Sequence, residues 1–134
     1  MISDSLFIRD LSSQVVQSFT QVSRYSLHHG KKNDWLLISM NNAAKELVIV
    51  NLKSQTFSSI KNVSTYTYMQ KHEAILVAAY QDSSDNSQTI VNYSIEGQKN
   101  TCIWKGEKAN SIIIDRAEIK CAFIENINSK KKIK

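Results

Sequence analysis

Apolar residues come along this chain in short bursts separated by polar clusters. The segments "LFIRDL", "WLLISM", "LVIVNL", "AILVAAY", "TIVNYSI" and "SIIID" are rich in Val, Ile, Leu, Phe and Tyr. Between them lie "HHGKKND", "MNNAAKE", "LKSQ", "MQKHE", "QDSSDNSQ", "EGQKN" and "KGEKAN". Each burst is shorter than a typical helix of about eleven residues, and none sustains the i, i+3, i+4, i+7 stripe of an amphipathic helix. β-Branched and aromatic runs bounded by Asn, Asp, Ser and Gly read as strands and turns. "NNAAKEL" holds helix formers, but it is short and leads straight into "VIV". The pattern predicts an all-β chain.

The pattern also repeats. "SLFIRDLSSQVVQSFTQVSRYSLH" (5–28) aligns with "ELVIVNLKSQTFSSIKNVSTYTYM" (46–69) at an offset of 41, which takes Leu6 to Leu47, Ile8 to Ile49, Val22 to Val63 and Tyr25 to Tyr66. An offset of 43 then carries Leu47, Val48 and Leu52 to Ile90, Val91 and Ile95. After each of these strands comes a turn ("SSQ", "KSQ", "EGQKN"), then a second strand ending near Phe19, Ile60 or Ile103. A third follows ("SRYSL", "STYTYM", "NSIIID"), and after another turn a fourth ("WLLIS", "AILVAA", "CAFIE"). Four strands in about 42 residues is the spacing of a β-propeller blade.

A four-stranded sheet with two apolar faces must stack on neighbours to bury them. The nearly continuous apolar runs "WLLIS", "AILVAA" and "CAFIE" suit a strand covered on both faces. The expected blade runs "STYTYM" innermost, then "AILVAA", "TIVNYSI" and "KNTCIW" as the outer edge. In that phase residues 5–22 are the outer half of one blade, 23–63 and 64–106 are two whole blades, 107–126 are an inner half, and 127–134 are a basic tail. Recurrence of Tyr25 at Tyr66 points to packing between blades. The expected architecture is a partial β-propeller of about three four-stranded antiparallel sheets, in a single domain.

These residues resemble the propeller of prolyl oligopeptidase-family serine peptidases, closest to the dipeptidyl and acylaminoacyl peptidases of Bacteroides type. The likeness lies in "LVIVNLKSQTFSSIKNVSTYTYM" and "TIVNYSIEGQKNTCIWKGEKANSIIIDRAEIKCAFIE", and it covers about residues 5 to 126. Family blades usually carry an Asp-Gly turn between the inner two strands, where this chain has "HHGKKND", "MQKHE" and "DRAE". The peptidase module would need a G-x-S-x-G nucleophile elbow on a strand–turn–helix frame. Gly30, Gly97 and Gly106 are never four apart. The resemblance therefore implies a non-catalytic, bacterial accessory segment that gates which peptides reach a catalytic triad lying elsewhere. A stand-alone protein-interaction propeller is the alternative, and a ligand-binding β-barrel a weaker one, since barrels need no such period.

Composition narrows the classes. The 134 residues suffice for a buried core. No apolar run approaches the roughly 18 to 20 residues of a membrane-spanning helix. "MISDSLFIRD" lacks the basic start and apolar stretch of a secretory signal, so the chain as given carries none, and localisation stays open. The net charge of +5 owes much to Lys130, Lys131, Lys132 and Lys134. The other basic residues are scattered, without the aromatic interleaving of a nucleic-acid surface, so the tail reads as a solvated end. Cys102 and Cys121 fit no metal or C-x-x-C spacing and lie in apolar runs, which predicts two free, mostly buried thiols.

Candidate chemistry is sparse. His28 and His29 stand in one turn and His72 in the corresponding turn of the next repeat, with Asp34 and Glu73 nearby. Equivalent turns of neighbouring blades can approach, but ligand spacing is missing, so turn histidines are expected. Asp115, Arg116 and Glu118 in "DRAE", and Asp82 and Asp85 in "QDSSDNSQ", offer carboxylates in solvated turns, where turn chemistry is the expected role. No catalytic, cofactor or metal residue is assigned. Partners follow from geometry instead. Propellers close with about four to eight blades, so a three-blade arc should self-associate as a dimer or belong to a longer peptidase chain.

Overall fold

The computed structural model describes residues 4–80 and 87–125. Asp82, Asp85 and the basic tail 127–134 lie outside the described residues. The all-β expectation holds: the described residues form eleven strands and no helix, every pairing antiparallel. They divide into two compact units, Met1–Lys61 and Asn62–Lys134.

The first unit holds β1 (Asp4–Arg9), β2 (Val16–His29), β3 (Asp34–Met40), β4 (Leu47–Asn51) and β5 (Thr56–Ile60), hydrogen-bonded in that order. The 14-residue β2 serves two partners. Its first part pairs with β1 from Val16 to Val22, and its second with β3 from Val22 to His29. The change of partner falls at a register shift between Val22 and Arg24, preceded by Gln21 at φ 58. Such a bulge bends and twists a strand. The bend brings Leu6, Ile8 and Phe19 over Leu36, Ile38, Val48 and Val50, which form the core of this unit. A T-shaped Phe19–Phe57 pair, 5.3 Å between centroids, adds to the contact.

The second unit holds a four-stranded sheet in the order β6 (Val63–Met69), β7 (Ala74–Tyr80), β8 (Gln88–Ser94) and β9 (Lys99–Gly106). A separate pair, β10 (Ala109–Ile114) and β11 (Cys121–Glu125), packs on one face of it. Met69, Leu76, Ala78 and Ile90 meet Ala109, Ile112 and Phe123 there. Trp104 closes the outer end against Phe123 at 4.9 Å. A Cβ on Gly106 would meet that indole, so a larger residue there would have to push the ring aside.

The turns carry the repeat most plainly. Asp10, Asn51 and Ser94 each precede a four-residue loop that ends in a left-handed glutamine: Gln14 (φ 64), Gln55 (φ 63) and Gln98 (φ 51). In the first two, the glutamine amide donates to the backbone carbonyl of Asp10 or Asn51 at 2.8 Å. The Asp10 carboxylate accepts the amides of Ser12 and Ser13, and the Asn51 side-chain oxygen accepts those of Lys53 and Ser54. Short polar side chains stabilise such turns by this local bonding. Among the described residues the left-handed positions fall on nine residues other than glycine.

Three expectations need correction. β3 is buried from Trp35 to Ile38 and β7 from Ala74 to Ala79, but "CAFIE" is not: Ala122 and Ile124 are exposed because β10–β11 is a two-stranded layer with one covered face. Tyr25 is 62% exposed rather than packed, because β1 and the first part of β2 lie against Val48 and Phe57 and leave β2's second part bare. Both thiols are free, but Cys102 is exposed on the edge strand β9, and Cys121 is half-buried.

Candidate functional site

The histidines belong to different units, His28 and His29 to the first and His72 to the second. On β2, Ser26 Oγ lies 2.8 Å from His28 Nε2, two residues along the same face. Burial, and then the neighbouring His29, lowers the His28 pKa from its ordinary value. Asp34, the acid of this hairpin, engages His29 Nδ1 at 2.9 Å in an exposed pair. Pairs of this kind contribute little to stability. A Ser–His contact becomes nucleophilic machinery when an orienting acid and oxyanion donors join it. Here the acid of the hairpin is placed on the neighbouring ring.

His72 shows that equivalent turns do approach within the second unit. Glu118, from the β10–β11 turn, lies 3.2 Å from His72 Nδ1 and accepts the Lys71 amide at 2.8 Å, both on the β6–β7 turn. The Glu118 side chain is only 10% exposed. Burial, and then the charges of Glu73 and Glu118, raise the Tyr68 pKa. The carboxylate is a clasp between two turns, a charged acceptor on a backbone donor. Asp115 serves its own turn by accepting the Ile119 and Lys120 amides, which lower its pKa. Arg116 stands exposed on the same turn. Among the described residues no group of three or more His, Cys, Asp or Glu side chains could hold a metal ion.

A second place with chemical character lies in the first unit. An open groove of about 440 Å³ is lined by Gln17, Phe19, Met40, Glu46, Val48 and Phe57. Gln17 Nε2 donates to the Gln55 carbonyl at 3.0 Å, and Gln55 Nε2 donates to Asp10 at 3.1 Å. Gln17 Oε1 is buried with no hydrogen-bond partner. The groove offers the apolar surfaces of Phe19, Met40, Val48 and Phe57 to an apolar group, whereas the Gln17 Oε1 atom is buried away from solvent.

The third feature is the pair of open ends. β1 borders the first sheet with β2 as its one neighbour, and β11 has β10 as its one neighbour among the described residues. Phe7 (67% exposed) lies on the outer face of β1, and Ile113 (64%) and Ile124 (58%) lie on the outer face of β10–β11. Unpaired strand edges with apolar faces are templates for further strands.

Sequence reasoning did not single out Gln17, Gln88 or Glu118 as organising residues. Gln88 is fully buried, and its Oε1 accepts the Ala109 amide at 2.8 Å, tying β8 to β10. Nothing in "SQTIVNY" marks that role. The glutamines at 14, 55 and 98 did carry a signal, since each closes the turn of one copy.

No protein-family model matches the chain, no curated protein matches it, and no solved structure matches it.

Proposed function

We propose that the chain is a segment of a β-propeller that works as a non-catalytic module, gating peptide access to a serine hydrolase of the prolyl oligopeptidase type. The observation that carries the architectural part is the phase of the hairpins. Outer hairpins with a left-handed glutamine (β1–β2, β4–β5, β8–β9) alternate with inner hairpins (β2–β3, β6–β7, β10–β11). In each unit a strand pair lies across the face of a sheet, the relation that stacked blades would have. The hydrolase part rests on the resemblance of residues 5 to 126 to that family's propeller. The open groove lined by Phe19, Met40, Val48 and Phe57 offers room for an apolar side chain of a peptide passing the first unit.

A stand-alone interaction scaffold is the second reading, favoured by the exposed apolar residues Phe7, Tyr25, Ile113 and Ile124. One experiment separates them. The tagged chain is recovered from its native cell, and associated proteins are labelled with a fluorophosphonate, which reacts with serine hydrolases. Gating predicts a labelled hydrolase, on the same or a separate polypeptide, that cleaves long peptides only when freed of this chain. A hydrolase indifferent to the chain, or peptidase activity of the purified chain itself, refutes it. Stable partners without a labelled hydrolase favour the scaffold.

A further inference from the structure

We propose that β11 of one copy pairs edge to edge with β1 of a second copy, so that two chains complete a four-stranded sheet at each of two junctions. This rests on the propeller reading and names the partner of its open ends.

The complete repeats supply the pattern. An inner hairpin joins an outer hairpin through antiparallel pairing, β3 with β4 (Trp35↔Asn51 to Ser39↔Leu47) and β7 with β8 (Ala74↔Ser94 to Tyr80↔Gln88). β11 closes an inner hairpin and β1 opens an outer one, and among the described residues each has one open edge. The edge that each offers is of the kind that the other's hairpin pairs with in the complete repeats.

The faces agree. β1 turns Leu6 and Ile8 toward its own sheet and Phe7 away, whereas β11 turns Cys121 and Phe123 toward its own sheet and Ala122 and Ile124 away. In the joined sheet Phe7 sides with Phe123 against the second unit of one copy. Ala122 and Ile124 side with Leu6 and Ile8 against the first unit of the other. That first unit has a bare patch to receive them. Tyr25 (62% exposed) and Leu27 (51%) pair across strands with Ile38 and Leu36, which puts them on the face that β1 covers elsewhere. An incoming β10–β11 would cover this patch as it covers β6 and β7 in its own chain. Phe7, Tyr25, Leu27 and Ile124 all leave water in one step.

The register follows as well. Offsets of 41 and 43 take Leu6 through Leu47 to Ile90, which pairs with Ala78. Met69 and Ala74 flank a four-residue loop, as do Asp115 and Lys120, whose amide and carbonyl meet at 3.0 Å. Matching the loops takes Ala78 to Ile124. In the first repeat Leu47 pairs with Ser39, one step further from its loop, which would bring Leu6 to Glu125 instead. The faces select Ile124, since Leu6 turns to the first unit and Ile124 away from the second. Leu6 then faces Ile124, Phe7 faces Phe123, Arg9 faces Cys121, and Asp10 faces Lys120 with opposite charge. A one-residue slip would send every side chain to the wrong face. Head-to-tail junctions either close or run on as filaments. Two copies hold about six blades, within the four to eight at which propellers close.

The test uses the native thiol. In a Cys102→Ser background, Arg9→Cys places a second thiol opposite Cys121. On mild oxidation, an equal mixture of unlabelled and ¹⁵N-labelled chains should give a covalent species of twice 15.2 kDa, with mixed-isotope 9–121 cross-linked peptides. Sedimentation of the unmodified chain should give the same mass, and Ile124→Lys should weaken association at least tenfold. Ile124 is already exposed in the single chain, so its replacement leaves folding intact. Unlinked thiols, a cross-link confined to single chains, or an unmodified chain that sediments as a monomer overturns the pairing. If the monomer still gates a labelled hydrolase, the pairing alone fails. If the dimer forms and no hydrolase responds, gating alone fails.

Discussion

In the first unit the covering strand pair shares β2 with the sheet that it covers, whereas in the second unit β10–β11 is a separate layer. The difference shows in what fastens each layer. Continuity of β2 through its bulge holds the first, helped by Gln17, Gln55 and the Phe19–Phe57 pair. The second depends on side chains: Gln88 on the Ala109 amide, Glu118 on the β6–β7 turn, Thr67 Oγ1 on the Ile112 carbonyl, and Trp104 on Phe123. A covalently continuous layer needs few polar keys. A detached one needs several, because each loop that joins it to its sheet leaves orientation open.

The largest expected effect tests whether each unit stands on its own core. Ile38→Ala and Ile90→Ala each empty a fully buried site and should cost about 2–5 kcal/mol in urea unfolding. Hydrogen exchange should show Ile38→Ala loosening β2 to β5 first, and Ile90→Ala loosening β7 to β10. Loss of protection spread evenly over both units would break the comparison.

Gln88→Ala sharpens it. The Ala109 amide loses its buried acceptor, which should cost about 1–3 kcal/mol and release β10–β11 while β6 to β9 keep their exchange protection. An unchanged β10–β11 layer would mean that apolar packing alone fastens it.

Smaller effects lie in the turns. Gln98→Gly removes a side chain from a left-handed residue and should stabilise by about 0.5–1 kcal/mol, less the added freedom of the unfolded chain. Gln55→Gly should gain less, because Gln55 also donates to Asp10. Equal gains in thermal unfolding would remove the distinction between the two hairpins.

Acid should act on the turns of both units. The Ser13 amide, then the Ser12 hydroxyl and amide, hold Asp10 at about 2, below its ordinary 3.8, and the Lys120 and Ile119 amides lower Asp115. A depressed carboxylate contributes stability above its ordinary pKa and loses it as pH falls through the folded value. The loss at Asp10 therefore belongs between about pH 4 and 2. Asp10→Asn keeps an acceptor for the turn amides, as Asn51 does one repeat later, but loses the charge and the oxygen that accepts from Gln55 Nε2. It should therefore be less stable than wild type at pH 7 and should lose less on acidification. A steeper acid response in Asp10→Asn would contradict this assignment.

The local devices were legible because their causes are local. The bursts around Leu36 and Ile75 mark central strands, and the glutamines of "SSQ", "KSQ" and "EGQ" mark one hairpin three times. "CAFIE" misled because its apolar character is that of a central strand, while its burial depends on a layer that the described residues leave uncovered. Tyr25 misled in the same way. Sequence position matched it to Tyr66, but coverage by β1 stops short of it. The clasp of Glu118 on the turn of His72 joins positions 46 residues apart and leaves no periodic trace.

Strand alternation, repeat length and hairpin closure are fixed by steric and hydrogen-bonding preferences within a few residues, so the amino-acid sequence by itself determined them. Exposure is a property of neighbouring layers. Which faces stay open at β1, β2 and β11, and that Gln88 lies wholly out of water, only the packing of one sheet against the next decided.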